Sequence, residues 1–286
     1  MEPSLTVVST CKPFVGGDAL RQRNAVSSWV NAVGAQNVLI VGDEPGVDSI
    51  CSELGLRHSP SVDRPDGRLP SLRGVLEDVQ LTSSDLICYV NADIILPSNF
   101  LHVVNRVATV FDRFMLVGER WSIFLDREIS LEELNDGSLS RFARSNGHLP
   151  GPHWIDYFVF PRNLLHPIPD LLVSGYLWDH WLVGRALEQG AAVVDATNFV
   201  DAVHQEHTRP RVQTAELMRS RNVQMMGKSP QLATIANATH LLDVHGNIHI
   251  ANSKKYLVGR VLKKMSPVVR FTRPIRVKFG VTLDNI

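Results

Sequence analysis

Two polar side chains, Asn91 and Asp93, follow a short apolar run at residues 86–90, and a second apolar run begins at Ile94. A carboxylate between two apolar runs is costly unless it meets a cation or hydrogen-bond donors. Hard divalent cations bind carboxylate and phosphate oxygens together. Asp93 is therefore a candidate ligand for a metal that carries a diphosphate, and an Asp that caps the next turn is the alternative interpretation.

His204 and His207 stand three residues apart, with Glu206 between them. Histidine is the commonest ligand of transition metals, so one of the two could complete a site begun by Asp93. Surface histidines after a strand are the alternative. The motifs HExxH and HxxEH are absent from the sequence, which disfavours a zincin.

Asp179 lies between Trp178 and His180 at the start of a predicted helix. The helix dipole favours a negative charge there, and aromatic neighbours can raise the pKa of a carboxyl group. Such a carboxylate could take a proton from an attacking hydroxyl. An acid in the first helical turn beside core tryptophans is the alternative. Asp156 precedes a second aromatic segment, residues 157–160.

The sequence lacks the motifs that are typical of several enzyme classes. There is no G-x-x-x-x-G-K-[ST], no G-x-G-x-x-G after the first strand and no G-x-S-x-G. These absences disfavour P-loop NTPases, dinucleotide-binding Rossmann enzymes and α/β-hydrolases.

The elements that position these residues alternate between strand and helix over the first 120 residues. Apolar runs predict strands at residues 5–8, 38–41, 86–90 and 114–117. This alternation is typical of a parallel sheet with helices on both faces. Right-handed crossovers then bring the strand ends at Thr10, Asp43 and Asn91 to one edge, where open α/β sheets bind ligands. The second half is less regular, and Ser130–Leu–Glu–Glu133 predicts a capping box for a helix of about a dozen residues.

Charge is distributed unevenly along the chain. From Lys254 onward there are nine Lys or Arg residues and one acid, a formal charge of +8, and the whole chain is neutral. Apolar residues recur at helical spacing in this tail. A basic amphipathic helix that contacts an anionic membrane through 254–278 is one interpretation, and a helix packed on the domain is the other.

The cysteines indicate a reducing compartment, and the hydropathy shows no targeting or transmembrane segment. Cys11, Cys51 and Cys88 are an odd number without metal-like spacing, which favours buried thiols. The N-terminus lacks the features of a signal peptide, and no run reaches the length of a transmembrane helix. We expect a cytoplasmic protein, with peripheral contact to the inner face of the membrane if the tail binds lipid.

Taken together, five segments resemble glycosyltransferases of the GT-A fold, in the family-2-like group. The resemblance spans roughly residues 5–208. The segments are Tyr89-Val-Asn-Ala-Asp-Ile-Ile-Leu96, Val117-Gly-Glu-Arg-Trp121, Asp156-Tyr-Phe-Val-Phe-Pro-Arg162, Trp178-Asp-His-Trp-Leu182, and Val194-Asp-Ala-Thr197 with Val203-His-Gln-Glu-His207. It implies a Rossmann-like, mostly parallel sheet flanked by helices, a less regular acceptor half and a basic C-terminal helical tail.

The resemblance also implies roles for individual residues. In the family's Asp-x-Asp motif the last Asp binds Mn²⁺ or Mg²⁺; here Asn91 replaces the first Asp, and Asp93 carries the charge. His204, with His207 as its rival, matches a late metal ligand, and Asp179 matches the general base. Nucleotide binding is implied for Thr10, Lys12, Asp43 and Asn91, and sugar or acceptor binding for Asp156, Trp178 and Arg120.

The implied reaction moves a sugar from a nucleoside-diphosphate sugar, with UDP or GDP most expected, to a hydroxyl of a glycan or lipid-linked acceptor. A sugar-nucleotide nucleotidyltransferase and a non-catalytic glycan- or nucleotide-binding module are the alternatives, and no nucleic acid is expected. The predicted catalytic domain covers residues 1–208, with a nucleotide-binding half to about 120 and an acceptor half over 121–208. A C-terminal extension (209–252) and the basic tail (253–286) follow.

Overall fold

A computed structural model describes residues 2–80, 82–173, 175, 177–207, 221–227, 231–252 and 256–257. The strands in these ranges are β1 Leu5–Ser9, β2 Val38–Val41, β3 Arg57–Ser59, β4 Leu86–Val90, β5 Ile94–Ile95, β6 Phe114–Val117, β7 Trp121–Ile123, β8 Tyr157–Pro161, β9 Ala192–Asp195, β10 Val203–Gln205, β11 His240–Leu242 and β12 Ile248–Ile250. The α-helices are α1 Gly16–Val33, α2 Val47–Leu54, α3 Leu72–Gln80, α4 Phe100–Ala108, α5 Leu131–Asn135, α6 Ser138–Asn146 and α7 Trp178–Glu188.

A large mixed sheet forms the centre of the fold, with strand order β12-β11-β9-β6-β8-β4-β1-β2-β3. The group β4-β1-β2-β3 is parallel, and so is the group β6-β9-β11. The predicted α/β class, a mostly parallel sheet flanked by helices, is confirmed.

Strand β8 joins the two parallel groups and runs antiparallel to both neighbours. The apolar run alone did not predict this direction. Because β8 runs opposite to β4, its first residue lies beside the last residue of β4, and Tyr157 is opposite Val90. The Asn91 backbone N–H donates to the Asp156 carbonyl at 2.9 Å, which brings both residues to the ligand-binding edge.

A second sheet of order β5-β10-β7 covers this edge. Its register places His204 opposite Ile94 on one side and Ser122 on the other. Helix α1 fixes β5, because Trp29 Nε1 donates to the Ile94 carbonyl at 2.8 Å and Ser28 Oγ accepts from the Leu96 N–H at 3.0 Å. The small sheet therefore carries the late histidines to the end of β4.

Apolar side chains fill both faces of the large sheet. Trp29 of α1 and Phe100 of α4 are fully buried on one face, and Leu72 and Leu76 of α3 with Leu182 of α7 are buried on the other. Burial on both faces explains why the parallel strands are continuous apolar runs rather than alternating ones.

The capping box at Ser130 is confirmed, but the predicted helix divides in two. Ser130 Oγ accepts from the Glu133 N–H, and the Glu133 carboxylate accepts from the Ser130 N–H. Helix α5 ends at Asn135, and Gly137 then adopts φ 73° before α6 begins. A glycine takes this left-handed conformation at little cost, so it separates the helices.

The C-terminal part of the described chain packs on the large sheet. Strands β11 and β12, from the predicted C-terminal extension (209–252), continue the sheet beyond β9. Tyr256 is buried, and its hydroxyl donates to Asp195 Oδ2 at 2.8 Å. Apart from Tyr256 and Leu257, the basic tail over which membrane contact was predicted lies outside the described residues. No helix in the described ranges is long and apolar enough to cross a membrane.

Candidate functional site

Three residues at the ligand-binding edge could hold one metal ion. Asp93 lies in the turn after β4, His204 in β10 and His207 just beyond it, and one ligand atom of each lies within 4.8 Å of the others. The distance between His204 Nε2 and Asp93 Oδ2 is 3.4 Å. The structure thus brings both candidate histidines, which the sequence left as rivals, to Asp93.

His204 supplies an independent sign that a ligand is expected here. His204 is 5 % exposed, and apart from the 3.4 Å approach of Nε2 to Asp93 Oδ2 neither ring nitrogen has a hydrogen-bond partner among the described residues. A buried polar atom without a partner costs free energy, and nearly all such atoms in proteins are satisfied. An imidazole lone pair directed at a metal would satisfy one of the two ring nitrogens, and the donor set of one carboxylate and two imidazoles fits a divalent cation.

The electrostatics of the site also favour a ligand set in its deprotonated form. Burial alone raises the pKa of Asp93, but His204, His207 and Lys12 outweigh burial and hold this pKa below its ordinary value. Burial lowers the pKa of His207. Both changes leave oxygen and nitrogen lone pairs available at neutral pH, as metal binding requires.

Two buried side-chain amides, those of Gln205 and Asn24, support this cluster, and the sequence did not predict them. The Gln205 side-chain amide donates to the carbonyls of Arg21 (2.8 Å) and Asp93 (3.2 Å), and its oxygen accepts from Asn24 Nδ2 at 2.9 Å. Asn24 in turn contacts the backbone of Arg127 and Ile129. The only sequence signal was the position of Gln205 inside a predicted ligand segment, between His204 and Glu206.

A second polar cluster lies beside the first, around Asp156. Asp156 Oδ1 accepts from Asn91 Nδ2 at 2.6 Å, and Oδ2 accepts from Arg120 Nε at 2.6 Å. Arg120 also donates to Ser122 Oγ, and its guanidinium lies 5.1 Å from the centre of the Trp154 ring. Asn91, Asp156 and Arg120, predicted separately as nucleotide and sugar ligands, are therefore parts of one hydrogen-bonded group.

Asp179 lies in the first turn of α7, and its Oδ1 accepts from the His180 N–H at 2.9 Å. Burial raises the pKa of Asp179, and the charge of Asp156 raises it further. The preceding residue, Leu177, has φ 67°, the one positive φ at a non-glycine residue in the described ranges. Strained backbone of this kind concentrates at functional sites, where surrounding structure holds it.

The remaining predicted ligands occupy different environments. Trp178 is 4 % exposed and packs edge-on against Tyr89, with 5.1 Å between ring centres. Thr10 follows β1 and is half-buried. Lys12 is largely exposed, with Nζ 3.6 Å from Asp18, and Asp43 forms an exposed ion pair with Arg64 at 3.1 Å.

An open cavity of about 460 Å³ adjoins the metal cluster. Its lining residues are Arg120, Ser122, Phe124, His148, Pro150, Trp154, His204, Glu206 and His207. The sequence predictions included Arg120 and the two histidines, and missed the aromatic members. Two candidate ligands of the metal thus also face a space large enough for a small substrate.

The chain matches no protein-family model and no curated protein sequence. It is similar to solved structures of glucosyl-3-phosphoglycerate synthase from Mycobacterium tuberculosis. A complex of that enzyme with Mn²⁺ and UDP-glucose has a TM-score of 0.49 and 12% identity, covering 87% of this chain and 86% of that one. Another structure of the synthase has a TM-score of 0.48 and 15% identity over 78% of this chain and 79% of that one.

A further similar structure, of a mycobacterial protein, has a TM-score of 0.49 and 16% identity over 78% of this chain and 74% of that chain. At these identities and scores the likeness assigns no residue role, and the roles below are derived from the site itself.

Proposed function

We propose that the protein transfers a sugar from a nucleoside-diphosphate sugar to an acceptor hydroxyl, with the help of a divalent metal. The observation that carries this proposal is His204, a buried imidazole without a hydrogen-bond partner among the described residues, beside Asp93 and His207. These groups lie at the carboxyl end of β4, where open α/β sheets bind nucleotides.

Asp93, His204 and His207 would hold Mn²⁺ or Mg²⁺ in this reaction. When bound, such a cation neutralises charge on the diphosphate leaving group and lowers the barrier by several kcal/mol. The chain's own contribution is geometric: the turn at Asp93 and the register of β10 place the ligand atoms within 4.8 Å of one another. Thr10, Lys12, Asp43 and Asn91 follow three strands of the same edge and are the proposed nucleotide contacts.

Asp179 is the proposed general base. One oxygen, Oδ1, is engaged by the His180 N–H, and the other accepts the proton of the acceptor hydroxyl as it attacks the sugar. Burial raises the pKa of Asp179, which makes the ionised form a stronger base. We expect Asp179→Asn to lower kcat by roughly 10²–10⁴-fold while the metal-dependent binding of nucleotide is kept.

The test of this function is a thermal-shift panel of UDP, GDP, CDP, dTDP and CMP, each with Mn²⁺, with Mg²⁺ and with EDTA. A ligand at one hundred times its Kd should stabilise the fold by about 2.7 kcal/mol. We expect one nucleoside diphosphate to raise Tm only with metal, and Asp93→Ala to abolish the effect. UDP is the first probe, because the similar synthase structures bind it. A shift that persists in EDTA would contradict the metal roles.

A non-catalytic binding module is the second candidate, on one specific observation. Asn91 occupies the position of the first Asp in the Asp-x-Asp motif. Its side-chain amide donates a hydrogen bond to Asp156, and the metal cluster among the described residues has a single carboxylate. Turnover separates the candidates: release of UDP from UDP-glucose supports the transferase, whereas metal-dependent binding without turnover supports the module.

A further inference from the structure

The cavity beside the metal histidines is lined by aromatic side chains that remain exposed. Phe124 is 71% exposed and Trp154 is 37% exposed, and Pro150 lies in the same wall. Exposed aromatic surface around a concave space usually marks a ligand site. We propose that this cavity is the acceptor subsite and that it binds the apolar face of an uncharged pyranose sugar against Trp154. The inference rests on the proposed function and adds the chemical class of the acceptor.

Trp154 packs against Arg120 in the wall of the cavity. The Arg120 guanidinium lies 5.1 Å from the centre of the indole ring, and Arg120 is itself fixed by Asp156 and Ser122. A cation above an aromatic ring stabilises that arrangement. A ring that is positioned by such a contact loses less side-chain entropy on binding, which favours affinity for a flat apolar surface such as one face of a pyranose.

The charges on the lining favour a neutral acceptor over an acidic one. Apart from the two metal-site histidines, the described lining has two groups able to carry positive charge, Arg120 and His148. Arg120 is paired with the buried Asp156 at 2.6 Å, and His148 lies 3.8 Å from Glu206. A carboxylate or phosphate entering this cavity would meet the like charge of Glu206 and would gain no uncommitted cation from these residues.

The polar lining suits hydroxyl groups instead. Ser122 Oγ, the His148 ring and the Glu206 carboxylate offer donors and acceptors around the aromatic wall. A sugar presents an apolar face of C–H groups and a rim of hydroxyls, so the lining matches it on both counts. The nearby metal cluster would then hold the donor close to the acceptor hydroxyl.

The experiment measures binding and transfer with the same probes. Methyl β-D-glucopyranoside and methyl α-D-mannopyranoside are the neutral probes, and 3-phosphoglycerate is the acidic one. Binding is followed by saturation-transfer NMR with and without UDP and Mn²⁺, and transfer by product formation from UDP-glucose. We expect at least one pyranoside to bind and to accept glucose, and 3-phosphoglycerate to do neither.

Variants of the full chain locate the subsite. We expect Trp154→Ala to raise the KM for the pyranoside roughly tenfold with a much smaller change in kcat, and Trp154→Phe to restore most of the affinity. Phe142→Ala is the matched control, because Phe142 is an exposed aromatic residue (42%) outside the cavity lining. Its KM should equal that of the unmodified protein.

The outcomes separate this inference from the proposed function. Pyranoside binding that depends on Trp154, without turnover of any donor, supports the subsite and contradicts the transferase. Turnover with 3-phosphoglycerate but with no pyranoside supports the transferase and overturns the subsite. An unchanged KM in Trp154→Ala, or no pyranoside binding in any arm, also overturns it.

Discussion

The two polar clusters at the ligand-binding edge differ in how their buried groups are satisfied. In the cluster around Asp156, both carboxylate oxygens and the Arg120 guanidinium have partners at hydrogen-bond distance. In the cluster around Asp93, the His204 ring is equally buried and makes no hydrogen bond within the described chain. A satisfied group stabilises the fold and fixes its neighbours, whereas an unsatisfied one retains its lone pairs for a ligand.

The largest expected effect on stability comes from breaking the satisfied cluster. Asp156→Ala leaves Arg120, which is 2 % exposed, as a buried charge without its carboxylate. We expect the free energy of unfolding to fall by about 3–5 kcal/mol, with or without metal. Urea denaturation in EDTA and in Mn²⁺ measures this directly.

Two controls define that effect. Glu53→Ala breaks the exposed pair with Arg23 (side chains 52% and 39% exposed), and it should lower the free energy of unfolding far less than Asp156→Ala does, because solvent screens an exposed pair. The double variant Asp156→Leu with Arg120→Met removes both buried charges and should recover most of the stability. A loss below about 1 kcal/mol in Asp156→Ala would show that the pair is not a structural element.

His204→Leu should give the opposite pattern. The substitution removes two buried nitrogens that make no hydrogen bond, but it also removes the imidazole that lies 3.4 Å from Asp93, so we expect stability in EDTA to fall by no more than about 1 kcal/mol. The stabilisation of about 2.7 kcal/mol by UDP and Mn²⁺ at one hundred times Kd should disappear. Differential scanning fluorimetry under both conditions is sufficient. A loss of several kcal/mol in EDTA would mean that His204 is part of the core and not a ligand.

The sequence predicted the buried strands of the large sheet but not the direction of every strand. Continuous apolar runs such as residues 38–41 and 86–90 predicted β2 and β4, because strands buried on both faces need no alternation. The direction of β8 was not predicted, because hydrophobicity along a strand contains no information about its polarity. The small sheet was also missed, since β5 has two residues and its pairing with β10 spans more than one hundred positions.

Within the site, residue types indicated candidate ligands but not the residues that these ligands would contact. Asp93 and His204 were identified as candidates because burying a charged or ionisable group beside apolar runs costs free energy unless the group has a partner. The pairing of Asp156 with Asn91 and Arg120 depends on the antiparallel direction of β8, which the sequence did not reveal. Trp154 and Gln205 are ordinary residues in the sequence, and their importance arises only from the tertiary contacts of Arg120 and Asn24.

A smaller effect, on the Kd for the metal, should follow from removing the hydrogen bonds that Gln205 makes beside the metal cluster. Gln205→Leu removes the donors to the Asp93 and Arg21 carbonyls and one of the two acceptors of Asn24 Nδ2. Because partners behind the ligands orient them, we expect the Kd for Mn²⁺ to rise roughly 10–100-fold, measured by isothermal titration calorimetry. Gln224→Leu is the control at an exposed glutamine and should leave the Kd unchanged. Equal Kd values in the two variants would exclude a positioning role for Gln205.

The smallest expected effect is the pH dependence that Asp179 imposes on stability. Burial raises the pKa of Asp179 above its ordinary value of 3.8, and the charge of Asp156 adds to the increase. In the window between the ordinary and the raised pKa, the folded protein holds a proton that the unfolded chain has lost. The folded state therefore loses stability as pH rises through this window, and the loss is complete above the raised pKa.

Asp179→Asn has no such proton to lose, so its stability relative to the unmodified protein should increase as pH rises from below 3.8 and then become constant. Urea unfolding of both proteins across this range measures the difference. A difference that stays flat with pH would show that Asp179 has an ordinary pKa and is well solvated. A rising difference, together with a lower kcat, would mean that the fold keeps a half-buried carboxyl group that lowers its stability because the reaction needs the basicity of that group. Asp179 would then join His204 as a group whose poor environment in the resting protein reflects its function, in contrast to the fully paired Asp156.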